Sequence, residues 1–84
     1  NRFQFLARAK PAGLYRLLDK LPRDDAAIVL AGLPAGLSVQ VMAYFPEKSQ
    51  AELMPAMREA RQATPAQADA VVGRLRDLLA AGRL

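Results

Sequence analysis

Ser38, Ser49 and Thr64 are the hydroxyls of this 84-residue chain that could act as nucleophiles, and each would need a base within hydrogen-bond reach. No histidine is present to supply one, and the lysine nearest Ser49 is its chain neighbour Lys48, on a solvated helix start. With no cysteine either, thiolate chemistry, imidazole proton transfer, Cys/His zinc sites and haem ligation are excluded within the chain. The acidic pair Asp24-Asp25 falls where a helix begins, and carboxylates there complement the helix dipole and bond free amides. What remains is surface. The chain reads as a non-enzymatic protein without a cofactor, whose resource is grooves between helices that take up a partner's apolar side chains.

The elements that must build such a surface are marked by proline. Leu21-Pro22, Leu33-Pro34 and Phe45-Pro46 recur twelve residues apart. Proline pushes the preceding residue out of the helical region and fits the first turn of the next helix, so each pair closes one rod and opens another. Stacked in register, the repeats align Leu21, Leu33 and Phe45; Ala27, Val39 and Ala51; Val29, Val41 and Leu53; and Leu30, Met42 and Met54. All four columns are expected to face inward, which puts Met42 and Met54 in the core. Short rods with tight corners bury their stripes only against neighbouring rods, the logic of a helical solenoid. Alternation of period two is confined to "SVQVM", so strands are not expected.

Six helices are predicted, over about 3–9, 11–20, 23–32, 35–44, 47–60 and 65–81. The last is the most clearly signalled: Thr64 as N-cap, Pro65 at the first helical position, Gln67 completing a capping box, and Gly82 as C-cap. Gly73, inside it, is expected to admit a neighbouring helix at close range. Pro55 should break or kink the fifth helix near Met54. Of Phe3 and Phe5, at least one belongs in the core. Met57, with Met42 and Met54, has the softness of an adaptable interface.

Hydrophobic content of 52% argues for a packed globule and against disorder. The net charge of +4 lies at the ends, with Arg2, Arg8, Lys10, Arg16, Lys20 and Arg23 against Asp19 alone over positions 1 to 23. That spread suits solvated helix faces better than a nucleic-acid interface. No apolar run is long enough to span a membrane, and the N-terminus lacks a signal-peptide core. The expectation is one soluble, cytoplasmic domain over 1–84, excised from a larger protein.

"NRFQFLARAKPAGLYRLLDKL" resembles the opening of the middle domain of the flagellar motor switch protein FliG, with Phe3, Phe5, Leu6, Pro11, Leu14, Leu17 and Leu18 matching and Lys10 in place of the usual Asp. The likeness continues through "AAIVLAGLP", "VQVMAYFP" and the Thr64-Pro65 start of the last helix. It implies an all-α, armadillo-like right-handed superhelix that docks neighbouring FliG-like subunits and a FliM-like switch protein. It also implies possible self-association, no catalysis, and a place at the cytoplasmic face of the inner membrane in the flagellar basal body. Where that family carries Glu-His-Pro-Gln, between its second and third helices, this chain reads Leu21-Pro22-Arg23-Asp24. The corner keeps the rung geometry without the family's partner-binding motif. With Leu14 and Tyr15 on the second helix, those four residues form the expected partner-binding surface.

Positions 17 to 34 are also similar to the repeated "LLxxLPxxxAAxxLxxLP" pattern of the cytoplasmic N-terminal domain of the MgtE magnesium transporters. That resemblance implies Mg²⁺ held by acidic residues at an interface with other domains, and here only Asp24, Asp25, Glu47 and Glu52 could serve.

Overall fold

Where this chain changes direction it does so at proline. Pro22, Pro34 and Pro46 each stand at a helix N-cap with ψ of 149°, 140° and 154°, an extended conformation from which the helix turns in at the next residue. The ring presets φ and donates no amide, so the corner costs no hydrogen bond. In the computed structural model, which describes residues 2–82, five α-helices hang on these corners: α1 Pro11–Leu18, α2 Arg23–Gly32, α3 Ala35–Met42, α4 Glu47–Ala60 and α5 Pro65–Ala80. Asn1 and the last two positions of the expected 1–84 domain lie outside the described residues. The described chain is all-helical, with no strand.

The expected first helix over 3–9 shrinks to a 3-10 turn at Gln4–Leu6. Its bonds run three residues back, from Leu6 N to Phe3 O and from Ala7 N to Gln4 O. Seven residues without a side-chain N-cap do not repay helix nucleation. α1 and α3 also stop two residues short of the predicted ends. Each finishes in a tighter turn, Leu21 N bonding Leu18 O and Phe45 N bonding Met42 O, which swings the pre-proline residue inward.

α4 runs through Pro55 without the predicted break. Pro55 is exposed, so its ring points into solvent and the carbonyl it leaves unbonded belongs to exposed Ala51, within reach of water. α5 starts as expected: Gln67 N donates to Thr64 Oγ1 at 3.1 Å and Thr64 N to Gln67 Oε1 at 2.8 Å. Gly82, just past its end, has φ +66°, the left-handed conformation glycine accepts without strain.

α2 is the central rod, packed most extensively on α4 and also on α5, while α3 leans on α1. This arrangement divides the predicted columns. Leu21, Leu33 and Phe45 are buried, and Val29, Val41 and Leu53 are fully so. The other two columns hold only in part outside α2, where Met42 still packs against the core. Ala27 is buried but Val39 is 70% exposed and Ala51 is exposed. Leu30 is buried, Met42 half-buried and Met54 54% exposed. A rod flanked on several sides buries a wide stripe, whereas α3 and α4 each keep a free flank. Phe3 is in the core and Phe5 is not. The radius of gyration of 11.6 Å matches the roughly 11.9 Å of a compact globule of this length, so the rods close on one core.

Candidate functional site

The predicted α1–α2 corner divides between core and surface. Leu14 and Leu21 are 2% and 7% exposed, so they hold α1 against the core and are not docking contacts. Leu14 belongs to the apolar stripe that α1 must bury, and Leu21 is swung inward by the turn that follows that helix. Tyr15, half-buried, stacks on Tyr44 at 5.9 Å with 21° between planes and meets the edge of Phe45 at 4.8 Å and 89°. Arg23 lies over the same Phe45 ring at 5.6 Å, and its Nη2 donates to Ser49 Oγ at 2.9 Å. Its guanidinium also stands 3.7 Å from Glu52 and 3.9 Å from Asp19, so it clamps α1, α2 and α4 together. A guanidinium cannot take a proton, so Ser49 is held and not activated. Pro22 and Asp24 are exposed.

The carboxylates of the magnesium reading do not converge. Both oxygens of Asp25 accept from Arg74 on α5, Oδ2 from Nε at 2.5 Å and Oδ1 from Nη2 at 3.0 Å. This fork pushes the Arg74 guanidinium above its ordinary value, first through the hydrogen bond and then through the charge of Asp25. Glu52 faces Arg23. Among the described residues no three acidic, histidine or cysteine side chains are grouped to hold a metal ion. Asp25 therefore combines its place in the first turn of α2 with a tie to α5 that nothing local in the sequence signals.

The free flanks of α3 and α4 enclose a groove of about 720 Å³, floored by Leu30 and Leu33. Its α3 wall is Ala35, Ser38, Val39 and Met42; its α4 wall is Met54, Met57, Arg58 and Arg61. Both sets follow the spacing i, i+3, i+4, i+7 that places residues on one helix face. Gln50 also lines it, its Nε2 donating to Phe45 O at 2.9 Å. Sequence reasoning noticed the softness of the methionines but placed Met42 and Met54 in the core; Met42 packs half-buried against it and Met54 is exposed. The signal that could have found the groove is the second stripe on α4, in which two methionines are followed by two arginines that no core would accept.

No protein-family model, curated protein or solved structure matches the chain. No helix among the described residues is long and apolar enough to cross a membrane.

Proposed function

We propose that this domain is a non-catalytic docking module whose working surface is the α3–α4 groove. The observation that carries the reading is the exposure of Val39 and Met54, apolar side chains of the α3 and α4 walls that line one groove with buried Leu30 and Leu33. Exposed apolar surface of this kind is favourable only when covered, and methionine adapts to the shape that covers it. The finer reading is a scaffold domain of the flagellar switch type, an armadillo-like right-handed superhelix that stacks with FliG-like neighbours and meets a FliM-like protein at the cytoplasmic face of the inner membrane. The residue pattern of Phe3, Leu14, Leu17 and Leu18 and the buried Leu21, Leu33 and Phe45 corners support it. The regulatory domain of an MgtE-type transporter remains the alternative on sequence pattern, but its carboxylates are spread over separate ion pairs or left apart.

Calorimetric titration with FliM-like and FliG-like domains from the same genome tests the reading. Val39→Asp and Met54→Asp, both at exposed positions, should abolish binding while leaving the melting temperature nearly unchanged. Tyr15→Ala and Arg23→Glu report on the corner instead. Binding lost at the corner and retained in both groove variants would move the working surface to α1, and binding by none of these domains would remove the switch-scaffold assignment.

A further inference from the structure

We infer that the α3–α4 groove receives an amphipathic helix of another protein, with its acidic residues set against Arg58 and Arg61. The inference rests on the docking reading above and names the occupant. Three observations select it.

The first is shape. Both walls are helices presenting an i, i+3, i+4, i+7 face, and their backbone is committed to helix bonds except at the helix ends and at Ala51 O, which is not part of the lining, so an extended peptide would find no ladder to join. A helix carrying its own apolar stripe needs only side-chain contacts. From Gln50 to Arg61 the α4 wall runs about 17 Å at 1.5 Å per residue, or about three turns of a partner helix.

The second is charge. Arg58 and Arg61 are the ionisable residues of the lining, and no carboxylate is among the described residues that form it. Like Arg8, Arg16 and Arg76, and unlike Arg2, Arg23 and Arg74, neither Arg58 nor Arg61 has a carboxylate partner among the described residues; what sets these two apart is their place in an apolar lining. Their donors stand at one end of an apolar slot, which favours a ligand that is apolar along its length and acidic at that end.

The third bears on a second copy of the chain as occupant. Among the described residues the large exposed hydrophobic side chains outside the groove are Tyr44, which is stacked on Tyr15, and the fully apolar Phe5 and Leu79. Arg76 lies over the Phe5 ring at 5.7 Å and stands one turn before Leu79, so either would bring a third arginine toward the first two. With a net charge of +4, self-pairing through this face is opposed.

The test is selection of 15-residue peptides from a displayed random library against the folded protein. The expected winners carry an apolar i, i+3, i+4, i+7 stripe with Asp or Glu at one end. As synthetic peptides they should bind about tenfold more weakly to the Arg58→Glu/Arg61→Glu variant, which should in turn prefer the matched peptide ending in Lys. They should weaken with added salt and fail to bind Val39→Asp. Winners with neutral or basic ends, or indifferent to the charge reversal, would overturn the acidic-helix inference and leave the docking reading standing. A dimer in sedimentation equilibrium that Val39→Asp dissolves would do the same, making the groove a self-interface. Peptides that bind Val39→Asp as well as the parent, or no winners together with a monomer, would overturn both.

Discussion

The ring of Phe3 and the missing side chain of Gly32 share one space. A Cβ built on Gly32 would lie 2.6 Å from Phe3 Cδ2, inside any real contact distance. Gly32→Ala must therefore push the ring out of the core, and we expect a loss of about 1–3 kcal/mol in urea unfolding. Phe3→Leu in the same chain should recover part of it, because the smaller side chain can step aside. Gly73 is the opposite case. A Cβ there meets nothing within 4 Å, so the close helix approach expected from the sequence does not occur. Gly73→Ala should stabilise α5 by about 0.5–1 kcal/mol, since only the backbone entropy of glycine is removed. Sequence pattern marks a glycine inside a helix but not what stands opposite it, and Phe3 is twenty-nine positions away from its own glycine. Separation along the chain also hid the Asp25–Arg74 fork, whose partners are 49 residues apart.

At the scale of elements, local chemistry decided most of what could be read in advance. The proline corners and the capping box of α5 follow from sterics and hydrogen bonds within four residues, and they fall where the spacing predicts. The register columns did not transfer from α2 to its neighbours, because the width of a buried stripe depends on how many rods flank it. Val39 and Met54 occupy the positions of Ala27 and Leu30 in the repeat, yet face solvent. Pro55 is the element-scale surprise, tolerated in an unbroken α4 because it sits on the free flank. Tolerated is not cost-free. Pro55→Ala restores an amide that can bond Ala51 O, and the variant should gain up to about 3 kcal/mol, measured as a shift of the urea midpoint at constant slope. An unchanged midpoint would mean that the ring makes compensating contacts.

Across the whole molecule, stability of about 4–12 kcal/mol is the expectation for a chain of this length. Leu53, fully buried where α4 meets α2, belongs to one of the two columns that held in all three repeats. Leu53→Ala should cost about 2–5 kcal/mol, enough to leave a large unfolded fraction in a chain near the low end of that range. Thermal melting followed by circular dichroism would show it. The all-α class and most helix ranges were legible from apolar spacing, whereas the site was only half legible. Tyr15 and Arg23 do meet, around Phe45, but Leu14 and Leu21 are inside and the groove lies between α3 and α4. A binding surface is defined by what the core leaves uncovered, and that is settled only once every rod has its neighbours.

The unequal packing of α2 and α3 has a kinetic side. α2 is held by α4 and α5, so its amides should exchange with solvent only when the whole fold opens. α3 is held mainly through α1, and its amides should exchange at least about tenfold faster, by an opening that leaves α2 and α4 in place. Uniform protection across both helices would show a single cooperative unit instead. If the difference is found, one jaw of the groove swings while the floor and the opposite jaw stay fixed, and the slot can widen to admit a bulky side chain and close behind it.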